Sequence, residues 1–231
     1  MPMWCRTALA VPIVCLLGGG PVAAGSVSID GAGGSFTVPV MSMREARWER
    51  VVAQAYDYSC GAAALATLLT HHYGRPTLEE TAFAAMFAAG DQAAIRRHGF
   101  SMLDMKQYLN SLGLHADGFR LGLDKIARIG VPGITMIETS GYKHFVVIKG
   151  IRDGKVLVAD PVRGTAIYRQ DEFETLWNGA FLAAREEFAV ARRHFNRARD
   201  WRVQPKASAA AATDWSSPAT LLVQLPVHDE F

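Results

Sequence analysis

A cysteine at the start of an alanine-rich helix is a thiol placed to react. The stretch Gln54-Ala55-Tyr56-Asp57-Tyr58-Ser59-Cys60-Gly61 is polar and loop-like, and Ala62-Ala63-Ala64-Leu65-Ala66-Thr67-Leu68-Leu69 after it is made of helix formers. A thiol at that boundary sits at the positive end of a helix dipole, which favours its thiolate. The competing reading is a small core cysteine, because free cysteines are often buried.

A thiol nucleophile needs an imidazole to take its proton and a third group to hold the imidazole's tautomer. Of His71, His72, His98, His115, His194 and His228 most fall in polar helix ends or tails, whereas His144, in Gly141-Tyr142-Lys143-His144-Phe145, stands where a loop enters an apolar strand. The strand would fix its backbone while its tip faces a cleft. Asp160, in Val156-Leu157-Val158-Ala159-Asp160-Pro161, ends the next strand. Between them lies Ile151-Arg152-Asp153-Gly154-Lys155, which fits a three-residue hairpin loop closed by a left-handed Gly154. That turn pairs Ile151 with Lys155 and sets Asp160 opposite Val146, one diagonal step from His144. Diagonal neighbours are about 7–8 Å apart at the backbone, a gap the two side chains can bridge. A two-residue turn would send them to opposite faces. Alone, Asp160 reads as a turn-initiating aspartate before proline. The free N–H of Cys60 offers one donor for an oxyanion, and the side-chain amide of Gln54 offers a second.

The bulk properties narrow the field. The 231 residues are half apolar and carry a net charge of +2. One domain with tails fits this length, and the charge balance points away from nucleic acid. Arg6, the apolar run Ala8–Leu17, the breaker Gly18-Gly19-Gly20-Pro21 and the small residues Val22-Ala23-Ala24 form a signal peptide over 1–24, with Gly25 as the new N-terminus. The apolar run is short for a membrane span. Cys5 and Cys15 leave with it, so Cys60 is the single cysteine of the mature chain. An exported protein normally pairs its cysteines, so an unpaired one asks for a reason, and reactivity is one. No cofactor or metal is expected: His71-His72 diverge on a helix without a third ligand and read as a solvated helix end.

The elements that must position these residues follow. Residues 25–49 are glycine-rich and extended, with an edge strand at Ser35–Val40 containing Pro39. Helices are expected at about Cys60–His72, at Thr77–Gly90 with a capping box at Thr77 and Glu80, and at Ser101–Gly113. Phe83, Met86 and Phe87 read as core. Strands are expected at Leu114–Leu121, Gly133–Glu138, Phe145–Ile148, Val156–Ala159, Thr165–Tyr168 and Phe181–Ala184, with short helices at Leu123–Ile129 and Asp171–Trp177. Helices first and antiparallel strands after them make an α+β domain over 50–185. Residues 186–231 read as an exposed helix and a low-complexity tail.

Taken together, Gln54, Cys60, His144 and Asp160, set in DYSCGAAALATLL, GYKHFVVIKG and VLVADP, resemble the bacteriocin-processing, double-glycine peptidase family of papain-like cysteine peptidases. The resemblance implies that the cysteine attacks, the histidine is the base, the aspartate orients it and the glutamine serves the oxyanion hole. It implies a peptide or protein substrate cut after Gly-Gly through a channel without room for side chains. Most members are cytosolic domains of ABC exporters. This sequence has no P-loop motif and carries a signal, so it is similar to the stand-alone exported branch, which includes an accessory peptidase of the functional amyloid (Fap) secretion system. That branch implies a periplasmic location, no transmembrane segment after signal removal, and secretion-system components as partners. Two alternatives stay open: a non-catalytic domain that holds an export substrate, and another papain-like amide hydrolase or acyl transferase.

Overall fold

Small side chains let one helix be buried along most of its length. The computed structural model describes residues 25–31 and 34–203. The signal segment, residues 32–33 and residues 204–231 lie outside the described residues. Two compact units are present, dividing after Ser42.

The first unit is a two-stranded antiparallel ribbon, β1 (Ser26–Gly31) with β2 (Gly34–Pro39). Pro39 ends its strand opposite Ser26, where its missing N–H costs nothing in a sheet centre.

The second unit begins with α1 (Met43–Trp48) and then α2 (Cys60–His72), whose residues Gly61 to Leu69 are all buried. Three helices follow: α3 (Glu79–Ala89), α4 (Gln92–His98) and α5 (Met102–Ser111). The rest is β3 (Ala116–Arg120), α6 (Leu123–Ile129), β4 (Gly133–Thr139), β5 (Tyr142–Arg152), β6 (Lys155–Asp160), β7 (Gly164–Arg169), α7 (Gln170–Leu176), β8 (Ala180–Ala184) and α8 (Phe188–Arg193), closed by a 3-10 turn at Asp200–Val203. The six strands form one antiparallel sheet in the order β3-β8-β4-β5-β6-β7. The expected α+β arrangement of helices on an antiparallel sheet is present. β5 and β6 sit inside the sheet and are buried over most of their length, which explains their continuous apolar runs.

Several expectations are corrected. The capping box at Thr77 does not form: Thr77 bonds Thr70 and Arg75 instead, and α3 starts at Glu79 with no side-chain cap. Phe83 and Phe87 are half-exposed, and of that stripe only Met86 is fully in the core. Helix α4 was not anticipated, although Asp91 caps it by accepting the N–H groups of Ala93 and Ala94. The pair His71-His72 is not a solvated helix end: His72 is fully buried. In place of an exposed helix over 186–199, α8 is six residues long and Ala191, Phe195, Asp200, Trp201 and Val203 are buried.

Candidate active site

The loop before Cys60 is pinned from three sides. The backbone N–H of Gln54 donates to the carbonyl of Pro161 at 3.0 Å, the residue after Asp160. The buried carboxylate of Glu79 accepts the N–H of Ala55 with both oxygens, at 3.0 and 3.1 Å. Thr67, buried in α2, accepts the N–H of Val52 at 2.9 Å. Ser59 occupies the cap position of α2, yet its hydroxyl turns back to Tyr56, donating to the carbonyl at 2.8 Å and accepting the N–H at 3.1 Å. The first N–H groups of α2 therefore lack a side-chain cap, which suits an oxyanion at Cys60.

Cys60 is half-buried. Burial pushes its thiol above the ordinary range, and the backbone N–H groups of Phe145, Gly61 and Cys60 itself pull part of the way back. Burial thus outweighs the helix start expected to favour the thiolate. The neighbour against the sulfur, Phe145, directly follows His144.

His144 is buried, and its Nε2 lies 3.0 Å from Oδ2 of Asp160, which is wholly buried. Burial works to raise the Asp160 pKa, but the bonds from His144 and from the N–H groups of Val162 and Arg163 outweigh it and hold the carboxyl below its ordinary value. A carboxylate only accepts, so Nε2 carries the proton and Nδ1 holds the lone pair. Nδ1 is buried and has no hydrogen-bond partner. The second Asp160 oxygen accepts the N–H of Val162 at 2.8 Å, so the residue begins its turn and binds the histidine at once.

The turn expected to create this pairing is absent. Arg152 faces Lys155 across a two-residue turn, with Asp153 at φ 52° and Gly154 at φ 68°, the geometry that Asp-Gly favours. By itself that turn separates His144 from Asp160. A bulge between Ile148 and Gly150 restores the shared face, because beyond it Ile148 pairs with Val158 and Val147 with Ala159.

Gln54 is brought near by its bond to Pro161, but its side-chain Nε2 donates to the Tyr56 carbonyl at 3.2 Å. One of its two amide protons is thereby engaged. Three features escaped the sequence reading. Tyr142 stacks on the His144 ring at 5.6 Å and reaches the Asp57 carbonyl at 3.2 Å. Glu79 holds the loop. Helix α4 lends Arg96, Arg97 and His98 to a cleft of about 620 Å³ that also touches Cys60, Tyr58, Phe100 and Phe145. Asp91 was the signal for α4, while nothing local marks Glu79, whose role rests on a contact distant in sequence.

A sequence profile of the peptidase C39 family matches residues 48–188. The chain belongs to the peptidase C39 family. C39 members are cysteine peptidases, and this chain is one of that kind. A Pseudomonas fluorescens protein named "Probable functional amyloid protease FapD" is 41% identical over 170 residues, spanning 73% of this chain and 75% of the relative. A Pseudomonas aeruginosa protein of the same name is 42% identical over 151 residues, spanning 65% and 67%. The C39 fold is also seen in the likeness to the peptidase domain of Streptococcus ComA, a bi-functional ABC transporter involved in quorum sensing. That match has a TM-score of 0.50 at 17% identity, covering 58% of this chain and 96% of that domain.

Proposed function

We propose that the chain cuts exported peptides or proteins after a Gly-Gly-type pair, with Cys60 as nucleophile, His144 as base, Asp160 as its orienter and Gln54 beside the oxyanion. The observation that carries this reading is the buried 3.0 Å bond between His144 and Asp160, on the strand whose Phe145 backbone N–H meets the sulfur of Cys60. Nδ1 of His144 takes the Cys60 proton as the sulfur bonds to the carbonyl carbon. The oxyanion is met by the Cys60 N–H and by the Gln54 amide once it turns from Tyr56. Collapse breaks the C–N bond, and the leaving amine takes the proton from His144. Water then gives a proton to His144 and attacks the thioester, and the thiol and the new carboxyl are released. Rings of Tyr58, Phe100, Tyr142 and Phe145 line the cleft around the thiol and favour a substrate backbone bare of side chains at the cut.

The cellular setting belongs to the same proposal. The names of the two Pseudomonas relatives support a place in a functional amyloid system, with its secretion components as partners. The sequence over 1–24 supports export to the periplasm, to be checked by the N-terminal sequence of the mature protein, expected at Gly25. Among the described residues no helix is long and apolar enough to cross a membrane. The direct test is cleavage of a peptide with an internal Gly-Gly: the wild type is expected to release a fragment ending in Gly-Gly, and Cys60→Ala none. Fragment release by Cys60→Ala overturns the assignment.

A further inference from the structure

The bond between His144 and Asp160 depends on one extra residue in β5. From the turn to Gly150 the strands keep the register of a two-residue turn, with Ile151 opposite Val156 and Gly150 opposite Leu157. Past Lys149 they run one residue out. Without that shift Asp160 would point to the face away from His144. A bulge breaks the ladder locally and leaves a residue unpaired, so it needs support from outside the strand pair.

The support comes from the chain after α8. The backbone N–H of Asn196 donates to the Lys149 carbonyl at 2.9 Å, and its side-chain Nδ2 donates to the Ile151 carbonyl at 2.9 Å. These two bonds straddle Gly150. A Cβ on Gly150 would lie 2.5 Å from Asn196 Oδ1 and 3.2 Å from Trp201 Cζ2, so the segment closes on bare backbone. The Lys149 side chain is wholly buried, donates to Thr165 Oγ1 at 2.8 Å and lies 4.0 Å from Asp200 Oδ2. The Arg152 guanidinium sits 4.3 Å over the Trp201 ring. Asn196 adopts φ 57°, a left-handed conformation that asparagine tolerates better than most residues. Every residue from 149 to 152 is thus touched by Asn196, Asp200 or Trp201.

We propose that Asn196–Val203 is a clamp that fixes the bulge at Lys149 and through it the pairing of His144 with Asp160, with Asn196 as the positioning residue. The clamp lies beyond residues 48–188, where the family profile matches. The inference rests on reading His144 and Asp160 as base and orienter.

Two variants of the full chain test it from opposite sides. Asn196→Gly removes the side-chain donor and keeps the left-handed backbone unstrained. Gly150→Ala leaves Asn196 intact and drives a methyl group into its place. The nuclear magnetic resonance signal of the His144 Nε2 proton reads the pairing with Asp160 independently of turnover. Both variants are expected to shift or broaden that signal and to lower kcat about tenfold to a hundredfold, with KM little changed. If both keep the wild-type signal, the clamp is overturned, even where the melting temperature falls. If the wild type cleaves no peptide, the peptidase reading fails, and the signal still decides for or against the clamp.

Discussion

At Cys60 two opposing effects act on one proton. The helix start favours the thiolate, but burial is the larger effect and pushes the thiol pKa up. The imidazole must then remove the proton at the moment of attack. In His144→Ala the rate of alkylation by iodoacetamide should climb with pH to a midpoint above the ordinary thiol value, about 8.5, whereas wild type reacts at neutral pH. A midpoint at or below that value in His144→Ala would mean that the helix start dominates after all. Asp160 titrates in the other direction. Its folded pKa is depressed, so the unfolded chain takes up the proton first, at about pH 3.9. Its stabilisation is present above that pH and is lost as pH falls through the folded pKa. Asp160→Asn should therefore flatten the acid arm of a urea-denaturation profile and cut kcat by about 10²–10⁴.

Among the elements, the hairpin of β5 and β6 shows what local sequence reveals. Asp153-Gly154 signals a tight turn, and the apolar runs signal two central strands. The bulge at Lys149 has no local signature, because it is held by Asn196 and Trp201, distant in sequence. The right residue pair was therefore legible while the route to it was not. Cys60, His144 and Asp160 stand out by their types and places at element ends. Tyr142 and Glu79 do not, since an exposed tyrosine and a first-turn glutamate look ordinary. Glu79→Ala should leave the Ala55 N–H unpartnered, cost about 1–3 kcal/mol in urea denaturation and lower kcat/KM as the Gln54 loop loosens. An unchanged kcat/KM would remove Glu79 from any part in positioning the loop. Helix α4 makes a similar point at the cleft wall. Reversing Arg96 and Arg97 to glutamate should raise KM for peptides with acidic side chains near the cut more than for neutral ones, a difference that fades at high salt. Equal KM changes for both peptides would make that wall electrostatically neutral toward substrate.

For the whole molecule, the segment after α8 joins the sheet as part of its interior. It surrounds an unusual buried charge: desolvation lowers the Lys149 pKa to about 8, although Asp200 pulls it upward. The unfolded chain holds that proton to about pH 10.4, so between about pH 8 and 10.4 it binds more protons than the folded one, and stability rises with pH there. Lys149→Met should abolish that rise; a retained rise would assign it to another group. The cysteine, the histidine strand and the clamp thus converge from three parts of the chain on one proton path. The most direct test of that path is rapid-quench mass spectrometry of the full-length protein mixed with a Gly-Gly peptide. The account predicts a transient thioester on Cys60, carrying the fragment that ends in Gly-Gly, formed as fast as the leaving segment appears. Release of the leaving segment with Cys60 unmodified throughout would contradict it.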